Sequence, residues 1–114
     1  MDNHFARITD KNSFEELVNQ SKERAVVIFK HSTTCPISAA AYREMARFEG
    51  QVALVEVQRA PELSREVEKR TGISHESPQV IVLRNGKVVW NASHEKVKAD
   101  AVIEAVREDA KGDG

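Results

Sequence analysis

The chain has a single cysteine, Cys35. This excludes an internal disulfide and any multi-cysteine metal site within one chain. No apolar run approaches the roughly 20 residues needed to span a bilayer. The first residues, Met1-Asp2-Asn3-His4-Phe5-Ala6-Arg7, show neither a basic stretch nor an apolar one, so no secretory signal is read there. The expected compartment is therefore the cytoplasm, where a lone thiol stays reduced unless it is used. Charge of one sign is lacking too. The 17 Lys and Arg against 18 Asp and Glu leave a net charge of −1, with no general grip on nucleic acid or anionic membrane. Repeats, low-complexity tracts and linkers are absent.

What remains is an ordinary globular balance, 40% hydrophobic and 31% charged over 114 residues. That length fits a single domain, residues 1–114, which buries roughly two-thirds of the surface its unfolded chain exposes. Ser13-Phe14-Glu15-Glu16 has capping-box spacing and opens a short helix toward Asn19. Ala25-Val26-Val27-Ile28-Phe29 reads as a strand buried on both faces. Pro36 suits the first turn of a helix whose apolar face is Ile37, Ala41, Met45 and Phe48, closed by Gly50. Val52-Ala53-Leu54-Val55-Glu56-Val57 is a second buried strand, and a helix runs from Pro61 to Gly72.

Val80-Ile81-Val82-Leu83 and Val88-Val89-Trp90 flank Asn85-Gly86, a hairpin turn signal. Ala99, Val102, Ile103, Val106 and Ala110 share one face of a C-terminal helix. Residues 110–114 read as a frayed tail. The order α-β-α-β-α-β-β-α combines helix-linked parallel strands with an antiparallel hairpin, so an α/β layer fold with a mixed sheet, the C-terminal helix packed on it, is expected.

The informative stretch is Phe29-Lys30-His31-Ser32-Thr33-Thr34-Cys35-Pro36-Ile37-Ser38. A strand ends, a polar loop presents Cys35, and a helix begins beside it. Unpaired N–H groups and about half a positive charge at a helix start favour a thiolate. Lys30 and His31 would add to this if they point that way, and Ser38 could donate to the sulfur. The competing reading is a small buried hydrophobe; the strand–loop–helix context favours a site, since loops at the ends of α/β sheets are where sites form.

At pH 7.5 a thiol with pKa about 8.5 is about 10% ionised and one about 6.5 is about 90% ionised. Nucleophilicity falls roughly eightfold over the same two units, so attack gains little. The lasting gain is a good leaving group. A second segment, His75-Glu76-Ser77-Pro78-Gln79, precedes the third strand. Pro78 either just starts that strand or forms a cis peptide facing Cys35, with Ser77 offering backbone groups to an extended substrate.

These residues resemble the thioredoxin fold. More closely, the chain is similar to the monothiol bacilliredoxins of bacillithiol-using bacteria. The matching segments are Lys30 to Ser38, His75 to Gln79, and Asn85-Gly86-Lys87-Val88-Val89-Trp90-Asn91, within a likeness covering roughly residues 5 to 110. The resemblance implies a thioredoxin-like α/β fold with a mixed four-stranded sheet flanked by helices, and a cytoplasmic thiol–disulfide oxidoreductase with Cys35 as nucleophile. Thr34, Pro36, Ser38, Lys30 and His31 would support the site, and Ser77 and Pro78 would bind substrate. It implies no metal and no tightly bound cofactor. Its partners would be bacillithiol as co-substrate, bacillithiolated client proteins and a partner reductase. Ser77 departs from the β-branched residue that glutaredoxin-like proteins commonly place before the cis-proline, so glutathione contacts are not carried over.

Other classes compete. A non-catalytic thioredoxin-fold adaptor would bind a protein near Ser77-Pro78 with a slow Cys35. A monothiol glutaredoxin-like iron–sulfur carrier would need two Cys35 and two external thiolates. A one-cysteine peroxidase lacks its expected upstream proline and threonine here. His31 and Cys35 alone are too few ligands for zinc. His4, His75 and His94 read as surface or loop residues, with His94 a candidate to approach the site by its place after the last strand, Trp90 as sheet packing, and Glu62, Glu66 and Arg70 as a solvated helix face.

Overall fold

The computed structural model describes residues 4–112. Its elements are β1 (Phe5–Arg7), α1 (Lys11–Gln20), β2 (Val26–His31), α2 (Pro36–Arg47), β3 (Val52–Glu56), α3 (Pro61–Thr71), β4 (Gln79–Arg84), β5 (Lys87–Ser93) and α4 (Ala99–Gly112), with one short 3₁₀ turn at His94–Lys96. The sheet has five strands in the order β1-β3-β2-β4-β5, one more than the sequence suggests. The addition, β1, is a three-residue edge strand that pairs parallel to β3 from Phe5↔Val52 to Arg7↔Leu54. β2 is parallel to β3 and antiparallel to β4, and β5 completes the antiparallel hairpin. No helix among the described residues is long and apolar enough to cross a membrane.

β2 is buried along its whole length, so its alternating side chains supply both layers. Val27 and Phe29 join Ala41 and Met45 of α2 and Val102 of α4. Val26 and Ile28 join Phe14 of α1 and Leu63 and Val67 of α3. A fully buried aliphatic or aromatic side chain of this kind contributes about 1.5–3 kcal/mol, which explains why the continuous apolar run reads correctly as a central strand.

Local signals hold at several ends. Gly72 adopts φ 74° after α3, and Asn85 and Gly86 both take positive φ in the hairpin turn. The turn is tied inward: Ser21, itself fully buried, accepts from the Asn85 N–H through its carbonyl and from the Gly86 N–H through its hydroxyl. Elsewhere the elements differ from expectation. Asp10, not Ser13, caps α1, its side chain accepting from the Ser13 N–H at 2.8 Å. α2 ends at Arg47, and Gly50 instead clears space for the Phe48 ring, which would lie 2.8 Å from an added Cβ. α4 continues through Gly112 where a frayed tail is read, while residues 113 and 114 lie outside the described residues. Arg70 leaves its helix face to pair with Glu15 of α1 and to cover the Phe14 ring.

β2 also runs two residues further than the sequence indicates, and this sets the fate of Lys30. Alternation turns its side chain toward α3, away from the α2 face, where its Nζ donates to the Ser64 carbonyl at 3.4 Å. The side chain is fully buried. Burial lowers its pKa to about 8, against the pull of Glu68. The native amine thus releases its proton near pH 8 and the unfolded one near 10.5. The unfolded chain binds more protons across that interval, so stability rises with pH through it, and the burial cost is fully present below pH 8. We expect Lys30→Met to raise the urea midpoint at pH 7 and to remove most of the wild-type gain between pH 8 and 10. An unchanged midpoint with the gain intact would contradict this.

Candidate active site

The strand order brings three segments to one end of the sheet. β2 ends at His31, whose carbonyl accepts from the Val57 N–H at 3.0 Å. The chain then turns through Ser32, Thr33 and Thr34, with the Cys35 N–H reaching back to the Ser32 carbonyl at 3.4 Å. Cys35 is the N-cap of α2, in extended conformation, and Pro36 follows in the first turn. Proline is suited to that position because its missing N–H would have had no helical partner. The Cys35 thiol is free and partly exposed, and its side chain makes no capping hydrogen bond. It therefore stands where first-turn N–H groups are unpaired and the helix presents partial positive charge.

The neighbours expected to assist it are arranged differently. Ser38 is fully buried and its oxygen faces back toward the strand. It accepts from the Ser32 N–H at 2.9 Å and lies 2.8 Å from His31 Nδ1. Burial lowers the His31 pKa, against the pull of Glu56, which favours the neutral ring. Ser38 thus serves the strand–helix junction where the sequence suggested a donor to sulfur. Burial disfavours a charge on His31, and Lys30 lies on the other face of the sheet. The helix start is the source of positive potential that remains.

The second segment is the loop before β4. Lys30 of β2 pairs with Gln79, which sets Pro78 beside the end of β2 from which the Cys35 loop departs. The Ser77–Pro78 peptide is cis. The Ser77 hydroxyl is buried with no hydrogen-bond partner. The Pro78 carbonyl accepts from the His94 N–H at 2.9 Å, and His94 Nε2 lies 3.0 Å from Glu76. His94 thereby joins Pro36, Ile37, Arg43 and Lys98 around a groove of about 400 Å³ that flanks the start of α2.

The third contribution escaped sequence reading altogether. Gln58, between β3 and α3, accepts from the Thr33 N–H and donates to the Ser32 and Thr34 hydroxyls. A lone polar residue in a loop far along the chain offers no local signal for this. Among the described residues no group of three or more His, Cys, Asp or Glu side chains is placed to hold a metal ion.

The family model for the monothiol bacilliredoxin BrxC matches residues 6–102. The chain belongs to the monothiol bacilliredoxin family. A solved structure described as a candidate oxidoreductase with a thioredoxin fold is 32% identical, with a TM-score of 0.82, covering 89% of this chain and 92% of its own. Thioredoxin from Trypanosoma brucei brucei superposes with a TM-score of 0.74 at 14% identity, over 94% of this chain and 91% of that one. Fasciola hepatica thioredoxin gives 0.71 at 17% identity, over 90% and 96%. The last two share the fold. This bacilliredoxin is thus a thioredoxin-fold thiol oxidoreductase, and its chemistry is thiol–disulfide exchange.

Ser38→Ala would leave the Ser32 N–H and the His31 Nδ1 without their partner. Orphaning buried groups costs about 1–3 kcal/mol, so we expect a loss of that size in urea-unfolding free energy at pH 7. A loss below about 0.5 kcal/mol would show that the junction has another support.

Proposed function

We propose that this bacilliredoxin removes bacillithiol from bacillithiolated proteins by a monothiol mechanism. The observation that carries the reading is the sole cysteine of a monothiol bacilliredoxin chain standing partly exposed at the N-cap of α2, at the sheet end that also holds cis-Pro78. The Cys35 thiolate attacks the bacillithiol sulfur of the mixed disulfide. The old S–S bond breaks, a Cys35–bacillithiol disulfide forms, and the client leaves as a thiolate that takes a proton from water. A second thiol, a free low-molecular-weight thiol or that of a partner reductase, then attacks the bacillithiol sulfur and releases Cys35 as the leaving thiolate.

The chain's own residues supply placement. Pro36 and the Ser38 junction fix the start of α2. Ser77, with backbone groups next to the cis-proline, receives the client segment in extended form. Thr34 and the helix start bound the sulfur on the loop side. The chain needs no tightly bound cofactor for this cycle, and bacillithiol is its co-substrate. Work in the cytoplasm fits a lone reactive thiol.

The test is intact-mass spectrometry of reduced protein mixed with a bacillithiolated peptide, alongside Cys35→Ser. The expected result is one bacillithiol mass on the native chain, free peptide thiol in equal amount, and neither with the variant. No transfer while Cys35 still alkylates readily would favour the adaptor reading, or a different low-molecular-weight thiol.

A further inference from the structure

We propose that Gln58 is the positioning residue of the active-site loop, holding Ser32, Thr33 and Thr34 so that Cys35 is delivered in one orientation; this rests on the thiol-exchange reading of Cys35. A primary amide offers two N–H donors and a carbonyl acceptor. All three functions of Gln58 are spent on consecutive residues of that loop. Its Oε1 accepts from the Thr33 N–H at 3.1 Å, and its Nε2 donates to Ser32 Oγ at 2.8 Å and to Thr34 Oγ1 at 2.9 Å.

The loop has few other restraints. Ser32 is held from the helix side through its N–H to Ser38, its carbonyl accepts from the Cys35 N–H at a long 3.4 Å, and Pro36 fixes the backbone beyond Cys35. Thr33 and Thr34 are exposed and pack into neither core layer. Between those two fixed points the amide acts as the strand partner that β2 loses after His31. Its own anchor is firm, since Val57, one residue earlier, donates its N–H to the His31 carbonyl. Gln58 is exposed, so its contribution falls on local order and leaves the core intact. In-line attack on a disulfide depends on where the sulfur points, and small misplacements are costly to rate.

The experiment follows native protein, Gln58→Ala and Gln58→Glu with hydroxyethyl disulfide. In that reaction the Cys35 thiolate attacks one sulfur, the S–S bond breaks, and mercaptoethanol leaves and is protonated by water. For Gln58→Ala we expect the second-order rate to fall at least about threefold and the Thr33 N–H to exchange with solvent about tenfold faster. The melting temperature should stay within about 2 °C of native. Gln58→Glu keeps an acceptor for Thr33 and takes the two hydroxyl protons instead of giving its own. It should restore Thr33 protection and bring the rate to within about twofold of native, because thiol ionisation and nucleophilicity offset each other.

A Gln58→Ala rate within twofold of native overturns the proposal. So does a slow Gln58→Glu variant in which Thr33 is protected again, or a general loss of melting temperature in Gln58→Ala. The probe carries no bacillithiol, so the result stands even if transfer from a bacillithiolated peptide fails; a native protein inert to hydroxyethyl disulfide overturns both.

Discussion

One oxygen atom joins the sheet to its chemistry. Ser38 Oγ receives the N–H of the first residue past β2 and is hydrogen-bonded to the ring of the last residue of that strand. It does so from within the first turn of α2, whose cap is Cys35. The end of β2 and the start of α2 are therefore tied together by a single buried hydroxyl. His31 is part of the same junction, and its burial opposes a charge on the ring.

The rest of the site is built outward from this junction. β2 is paired on both sides, to β3 and to β4, so the end of β2 cannot move without both neighbours. β3 feeds the loop bearing Gln58, and β4 is preceded by cis-Pro78. A helix start, a proline segment and an amide from three separate stretches of chain thus meet at the end of one strand. The sheet is the frame that makes distant residues adjacent.

Where the determinants are local, the sequence shows them. Pro36 and Pro61 opened their helices, Gly72 closed α3, and Asn85-Gly86 turned the hairpin, because each acts through its own backbone dihedrals. The β-branched middle of β2 announced a strand covered on both faces. β1 left no such trace. Three residues with two exposed have little pattern, and they are a strand only because β3 offers a free edge. Lys30 was offered to the thiol on condition that it pointed there, and only the two extra residues of β2 reveal that it takes the opposite face. Ser38 looked like a donor to sulfur by spacing, but spacing does not show that His31 competes for it. Gln58 is adjacent to its partners in space alone.

The way Cys35 is mounted has a consequence for energetics. Its sulfur makes no capping hydrogen bond, while the backbone around it is secured by other groups. The frame around the sulfur is therefore built by groups other than the sulfur: Ser38 and Gln58 fix the loop, and the partly exposed thiol is left facing outward with no part in holding the fold together.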